Sequence, residues 1–160
     1  MRKLLKIAVG VCAVAGFASA ASANSVSAGL AVGASIAATC TVSTSAVAFG
    51  PFSGSQIDAT GTVTANCISG TPYNVGLDAG LATGATVTTR KMKSGVNLLP
   101  YSLFSDTGRT VNWGNTVGTD TVPGVGTGAS QNLTVYARLP AGAVPAAGTY
   151  ADTVQATVNF

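Results

Sequence analysis

Apolar and polar side chains alternate along residues 25–40. A period of two is typical of a β-strand that buries one face. At about 3.3 Å per residue this segment would extend over about 50 Å, which is longer than a usual strand of a small domain. We therefore divide it into a leading arm that ends near Ile36 and a first core strand that runs through Cys40. The apolar face of the whole segment carries Val26, Ala28, Leu30, Val32, Ala34, Ile36, Ala38 and Cys40.

Shorter segments of strand-like composition follow, with turn signals between them. The sequence predicts that the first core strand continues to a turn at Gly50–Pro51 and that the next strand ends near Cys67. A third strand should end at the Asp78-Ala79-Gly80 turn, and a short strand is predicted between residue 84 and the turn at Ser94–Gly95. Val and Thr favour strands, whereas Gly, Pro and Asn favour turns, so this spacing indicates an all-β domain.

The second half of the chain continues the same pattern. A turn is predicted at Ser94–Gly95, a short strand around Trp113, and a glycine-rich loop over residues 115–130. Seven or eight short strands at regular spacing favour an antiparallel β-sandwich. Two of these strands alternate clearly, and we expect their apolar side chains to be buried, namely Leu99, Tyr101, Leu103, Leu133 and Val135.

The last predicted strand follows a turn at 145–148 and runs from Gly148 to Phe160. Its apolar positions again alternate, and they are Tyr150, Val154, Ala156, Val158 and Phe160. The sequence therefore predicts two half-apolar strands, one before the core and one after it.

The first residues predict a secretory signal peptide over residues 1–23. A basic MRKLLK stretch precedes an apolar run of about a dozen residues, which is too short to span a bilayer. Small residues then offer cleavage after Ala23, with Ala20 as the alternative. Cys12 lies inside the apolar run rather than at the cleavage point of a lipoprotein, so we expect it to be removed with the leader.

Without this leader the chain is predicted to be neutral, which argues against a nucleic-acid-binding surface. The clustered cations Arg90, Lys91 and Lys93 are expected to lie on a solvated turn. The balancing charges are the cations Arg90, Lys91, Lys93, Arg109 and Arg138 and the anions Asp58, Asp78, Asp106, Asp120 and Asp152.

Two cysteines remain, Cys40 and Cys67. Export to an oxidising compartment predicts that they form a disulfide. Closing a loop of about 27 residues would stabilise the fold by about 3–4 kcal/mol in the chain-entropy model. Two thiols without any histidine are too few to predict a metal site.

The sequence lacks the residues and motifs that most enzymes use for catalysis. The sequence contains no His and no Glu, so a Ser-His-Asp triad is impossible and the usual general acids and bases are missing. The glycines at 124, 126 and 128 have no following Gly-Lys-Ser/Thr and do not form a phosphate-binding loop. We predict neither an enzyme nor a cofactor.

The two half-apolar strands suggest one explanation. A sandwich that lacks a strand leaves an apolar edge that most proteins protect. A spare strand on an arm could fill the same gap in a neighbouring subunit. Such a contact is head-to-tail and does not close, so it would build a fibre.

Several segments together resemble the spore coat protein U domain family, over essentially the whole chain after the leader. They are CTVSTSAVAFGPFSG, GTVTANCISGTPYNVGLDAG, RKMKSGVNLLPYSLFSD and the closing LTVYARLPAG…GTYADTVQATVNF. This family includes pilin subunits of archaic chaperone–usher pili in Gram-negative bacteria. The resemblance implies an incomplete immunoglobulin-like antiparallel β-sandwich over residues 38–160, preceded by a donor-strand arm over residues 24–37.

The resemblance also implies partners and roles. The partners would be a periplasmic chaperone, an outer-membrane usher and related pilin subunits, in a pilus at the cell surface that supports adhesion or biofilm formation. The donor strand would carry Val26, Ala28, Leu30, Val32, Ala34 and Ile36, and the strand held by the chaperone would carry Val154, Ala156, Val158 and Phe160.

Two other functions stay open at the level of sequence. The first is a binding module, either a tip adhesin or a small carbohydrate-binding sandwich. A tip adhesin usually has an additional receptor-binding domain, and it would not need a donor arm. The second is a protective spore-coat-type protein in which the strands pair differently. Neighbouring genes for a chaperone, an usher and similar subunits would favour the pilus.

Overall fold

The computed structural model describes residues 24–160, so the predicted signal peptide lies outside the described residues. The chain divides into two units: the first ends at Ser35, and the second begins at Ile36. Residues 24–39 belong to no strand, and their side chains are exposed. The predicted strand through Cys40 is thus wrong in its bounds, because the first strand begins at Cys40. A period of two is compatible with a β-strand, but a strand also requires a neighbouring strand that hydrogen-bonds its backbone N–H and C=O groups.

Every regular element in the described part of the chain is a β-strand, so the predicted all-β class is confirmed. The nine strands are β1 (Cys40–Thr44), β2 (Ile57–Cys67), β3 (Pro72–Leu77), β4 (Lys91–Ser94), β5 (Asn97–Pro100), β6 (Ser102–Phe104), β7 (Val122–Val125), β8 (Ser130–Leu139) and β9 (Ala156–Asn159).

The strands form an antiparallel sandwich. One sheet has the order β1-β2-β8-β6, a second has the order β7-β3-β9, and β4 and β5 form a separate hairpin. Buried side chains from both larger sheets meet in one core, to which β2 contributes Val63 and Ala65 and β3 contributes Tyr73 and Val75. The fold is the incomplete immunoglobulin-like sandwich that the resemblance implied.

The predicted disulfide is confirmed. Cys40 and Cys67 face each other across β1 and β2 with a Cα–Cα distance of 4.1 Å. The bond fastens the start of β1, an edge strand, to the end of β2.

The predicted burial is largely correct. Leu99, Tyr101, Leu103 and Val135 are buried, whereas Leu133 is half-buried against the same core. Trp113 is also buried, although the strand predicted around it does not form. Its indole Nε1 donates a hydrogen bond to the Val75 carbonyl at 2.8 Å, which attaches this connecting segment to β3.

Two assignments in the second half of the chain need correction. The predicted glycine-rich loop contains β7, whereas the short strand predicted before the Ser94–Gly95 turn is present as β4. The closing strand is shorter than predicted, because β9 covers only Ala156–Asn159. Before β9 begins, the chain contacts β4 instead of β3, because Ala151 and Lys93 exchange two backbone hydrogen bonds.

Candidate functional site

β1 and β9 stand at the edges of the two facing sheets. In the described part of the chain, neither outer edge pairs with another strand. Val42 lies opposite the fully buried Ala65, and Val158 lies opposite the fully buried Val75. Because opposite residues on paired strands share a face, Val42 and Val158 point inward. Val42 is nevertheless 39% exposed, which indicates that the core is incompletely covered at this edge.

Two cavities open between the segment that continues from β1 and the segment that precedes β9, and we call them together the open groove. One wall is residues 44–52, which run from the last residue of β1 into the next loop, and the other is residues 144–154, which precede β9. The cavities measure about 460 and about 400 Å³. Four half-buried side chains line both cavities, so the cavities adjoin, and these are Val47, Phe49, Met92 and Tyr150.

Core residues form the floor of the open groove. Leu99 and Leu139 line the larger cavity, and Val63, Leu77 and Val135 line the smaller one. All five belong to the main hydrophobic core. A cavity that reaches core side chains of both sheets is the shape that a missing strand leaves in a sandwich.

Two structural features position the walls. The β4–β5 hairpin turns at Gly95, where the φ angle is 58°, and β4 presents Met92 to the groove. The backbone hydrogen bonds between Lys93 and Ala151 fix this hairpin to the segment before β9. The Phe49 ring contacts the Tyr101 ring edge-on, with 6.3 Å between ring centroids, and so holds the opposite wall against the floor.

A single carboxylate lies among the residues that line the open groove. The Tyr101 hydroxyl donates a hydrogen bond to Asp152 Oδ2 at 2.7 Å. Asp152 Oδ1 accepts hydrogen bonds from the backbone N–H groups of Leu81 and Thr153. Burial, together with the bond to Asp152, raises the pKa of Tyr101 well above its usual range, so the hydroxyl stays a donor. The carboxylate is therefore already satisfied by the protein itself.

Arg90 lies behind this wall and is wrongly predicted as part of a solvated turn. Its side chain is fully buried and donates hydrogen bonds to the carbonyls of Leu77, Asp78, Val87 and Trp113, at 2.7–2.8 Å. Burial lowers the pKa of the Arg90 guanidinium. Its backbone carbonyl accepts a hydrogen bond from the Tyr101 N–H, so Arg90 supports the groove floor. Nothing in the local sequence separates Arg90 from its exposed neighbour Lys93.

The predicted C-terminal residues have mixed surroundings. Val154, Ala156 and Val158 are half-buried and pack against the core. Phe160 follows β9 and is 61% exposed, so it does not continue their buried row.

The predicted donor residues lie on the exposed segment that precedes β1. Leu30 and Val32 are 88% and 89% exposed, and Val26 and Ile36 are exposed to a similar degree. Ala28 and Ala34 are exposed as well. No charged residue occurs between Asn24 and Ile57, so the segment is apolar on one face and neutral throughout.

Other kinds of site find little support. Within residues 24–160, no three His, Cys, Asp or Glu side chains come together as a metal site would require. The same residues include no helix long and apolar enough to cross a membrane. The open groove is thus the feature that a functional account must explain.

Comparisons with known proteins agree with this geometry. The family model of the Spore Coat Protein U domain matches residues 26–157. "Protein U" of Myxococcus xanthus is 38% identical over 87 residues, which cover 53% of this chain and 48% of that protein. The match therefore spans about half the length of this curated relative.

A solved structure shares the fold. It is a chain of the pre-assembly complex between CsuC and CsuE, described as chaperone and tip adhesion subunit of the archaic chaperone–usher Csu pili of Acinetobacter baumannii. The sequence identity is 26% and the TM-score is 0.58. The match covers 78% of this chain but 40% of the other, so it concerns less than half of that protein.

Proposed function

Because the chain belongs to the Spore Coat Protein U domain family, we propose that it is a structural subunit of a chaperone–usher surface pilus and not an enzyme. The observation that carries this proposal is the open groove, where half-buried apolar side chains border two cavities between residues 44–52 and residues 144–154. The likeness to a chain of a chaperone–pilus subunit complex supports the same assignment.

In this proposal, subunits polymerise by donor-strand complementation. The arm over residues 24–37 of one subunit enters the open groove of the next. Its donor side chains Val26, Ala28, Leu30, Val32, Ala34 and Ile36 meet the core. Burying these six side chains contributes about 5–10 kcal/mol before the cost of ordering the arm. Backbone hydrogen bonds to a free strand edge add to this.

The groove needs a partner before assembly as well. An exposed apolar edge promotes aggregation, so a periplasmic chaperone would cover it by offering a strand of its own beside Val154, Ala156, Val158 and Phe160. An outer-membrane usher would then exchange the chaperone for the arm of the next subunit. Each contact is head-to-tail, so the product is an open fibre at the cell surface, where it supports adhesion or biofilm formation.

The test is to co-express the chain with its chaperone and usher and to look for fibres by electron microscopy. The Leu30→Asp/Val32→Asp double variant should bind the chaperone, because its groove is intact. It should form no fibres, because two charges would enter an apolar groove unpaired. The matched control is Ser27→Asp/Ser35→Asp, which adds the same charge to the other face of the arm and should assemble normally. Abundant heat-resistant fibres from the Leu30/Val32 variant would refute the donor assignment.

A further inference from the structure

Arg90 is a buried cation without a carboxylate partner. Its side chain is fully buried, and it forms no salt bridge with any residue that the structure describes. Burying a charge is costly unless hydrogen bonds compensate for the lost water. Four N–H groups of the guanidinium supply that compensation, and all four donate to backbone carbonyls at 2.7–2.8 Å, those of Leu77, Asp78, Val87 and Trp113. The side chain therefore holds backbone segments rather than pairing with another charge.

Asp78 extends the contacts of Arg90 to the start of β9. The guanidinium holds the carbonyls of Asp78 and of Leu77, which lines the smaller cavity. The Asp78 N–H donates to the Gln155 carbonyl at 3.1 Å, and Asp78 Oδ1 accepts from the Gln155 N–H at 2.9 Å. Gln155 lies directly between the wall over residues 144–154 and β9. Arg90 thus fixes one end of this wall through Asp78.

Tyr101 provides a second connection to the same wall. The Arg90 carbonyl accepts a hydrogen bond from the Tyr101 N–H at 3.0 Å, and the Tyr101 hydroxyl donates to Asp152 Oδ2 at 2.7 Å. The wall is thus attached at Asp152 and again at Gln155. Val154, which packs against the core and lines the smaller cavity, lies between the two attachments. Two fixed points set both the place and the direction of this part of the wall.

The empty groove has a physical tendency to close. Val47 on one wall, and Tyr150 and Val154 on the other, line the smaller cavity and are half-buried. If the walls approached each other, these side chains would lose contact with water, which is favourable for apolar surface. The hydrogen bonds at the wall oppose this movement, because closure would break them.

We propose that Arg90 is a positioning residue that keeps the open groove open for an incoming strand. Arg90 lines neither cavity, so it acts only through the segments that it holds. This inference rests on the proposed function, and it names a residue outside the groove on which strand uptake depends.

The arrangement requires the shape of arginine. A guanidinium presents its N–H donors in a planar fork, which here reaches four carbonyls at once. A lysine has one nitrogen with three donors, so Arg90→Lys keeps the charge but cannot bind all four carbonyls. Arg90→Met removes the charge and keeps an unbranched apolar stem. The two variants therefore separate the positioning role from charge and from volume.

Hydrogen exchange in the full chain tests the positioning without any partner. The reporters are the backbone N–H groups of Gln155 and Leu81, which donate to the carboxylates of this network. In Arg90→Lys and Arg90→Met, these two amides should exchange at least about tenfold faster than in the wild type, relative to the amides of β8. Wild-type rates at both amides overturn the proposal.

The matched control is Gly124→Ala, which disturbs a distant part of the same sheet. Its methyl group meets the buried Tyr73 ring, and β7 is separated from β9 by β3. This variant should accelerate exchange in β7 and leave Gln155 and Leu81 at their wild-type rates.

Binding of the arm as a peptide tests the consequence for strand uptake. The full chain carries Leu30→Asp/Val32→Asp, which disables its own arm, and a dye-labelled peptide of residues 24–37 is titrated against it. Adding Arg90→Lys or Arg90→Met should raise the Kd of the peptide at least about tenfold, since only molecules with an open groove bind it. Adding Gly124→Ala should leave the Kd within about twofold of that of the background chain, because the two sites are separate.

The outcomes separate this inference from the proposed function. A Kd in the Arg90 variants equal to that of the Gly124→Ala control overturns the positioning role, even if all of these chains are less stable than the wild type. Asp78→Ala, which removes the acceptor of the Gln155 N–H, replaces the Arg90 variants if neither of them folds, and the same results are expected of it. A background chain that binds no peptide overturns the proposed function, and hydrogen exchange then still decides whether Arg90 positions the wall.

Discussion

The hydrogen bond between Tyr101 and Asp152 connects the floor of the open groove to the segment before β9. Tyr101 is buried, and Asp152 also holds the backbone at Leu81 and Thr153. Removing the hydroxyl would leave Asp152 Oδ2 without this donor in a half-buried position. Losing a partner of a buried polar group costs more than the bond itself contributes.

The first prediction therefore concerns Tyr101→Phe. We expect the free energy of unfolding to fall by about 1–3 kcal/mol, measured by urea denaturation. The control is Tyr136→Phe, since Tyr136 alternates with the inward-facing Val135 and lies on the outer face of the four-stranded sheet. A Tyr101→Phe chain as stable as the control would show that the bond does not stabilise the wall.

The disulfide could be predicted from the sequence, whereas the burial of Arg90 could not. Cys40 and Cys67 could be paired from their number and from the predicted compartment, because two exported cysteines leave few alternatives. Arg90 could not be placed, because three of the four carbonyl groups that accept its hydrogen bonds, those of Leu77, Asp78 and Trp113, lie 12 to 23 residues away along the chain. The identity of Arg90 and of its neighbours in the sequence does not indicate this arrangement of carbonyl groups.

Among the strands, those with clear alternation were predictable and those shaped by contacts were not. The buried faces of β2 and β8 follow a period of two, whereas β7 has the sequence VPGV, which resembles a turn. Glycine suits β7 at position 124, because Gly124 lies opposite Tyr73 and a side chain there would run into the Tyr73 ring. The arm shows the reverse case, in which strand-like sequence has no partner edge.

The second prediction is that Gly124→Ala separates β7 from β3. The added methyl group must displace the buried Tyr73 ring, and overpacking of this kind costs about 1–3 kcal/mol. Urea denaturation measures the loss, and hydrogen exchange of the β7 amides should accelerate. Gly142→Ala is the matched control, because a methyl group at Gly142 meets no atom within 4 Å. Equal stability of the two variants would mean that β7 tolerates the side chain.

At the scale of the whole molecule, the arm and the open groove have complementary properties. The arm is neutral and exposes its larger apolar side chains, and the groove is lined by half-buried apolar side chains that pack against the core. A subunit whose groove holds no arm lacks the stabilisation that this pairing would supply. The difference between the lone subunit and the assembled one should therefore be measurable as stability.

The last prediction moves the arm to the other end of the chain. A variant that lacks residues 24–37 and carries a copy of them after Phe160, through a short flexible linker, should fill its own groove. β9 ends at Asn159 and Phe160 is exposed, so a turn there would lay the grafted strand antiparallel to the free edge of β9. Joining donor and groove in one chain makes their pairing intramolecular, which raises the effective concentration to the millimolar range.

This variant should be monomeric by light scattering, should unfold at a higher temperature than the unmodified chain, and should form no fibres. The control is a graft with Asp at the positions of Leu30 and Val32. Its unfolding temperature should be no higher than that of a chain that lacks the arm. Its charges cannot be buried in the groove without partners, whereas the linker and length are unchanged. If both grafts raised the unfolding temperature equally, the stabilisation would come from the linker or the added length, and the open groove would not be the acceptor of the arm.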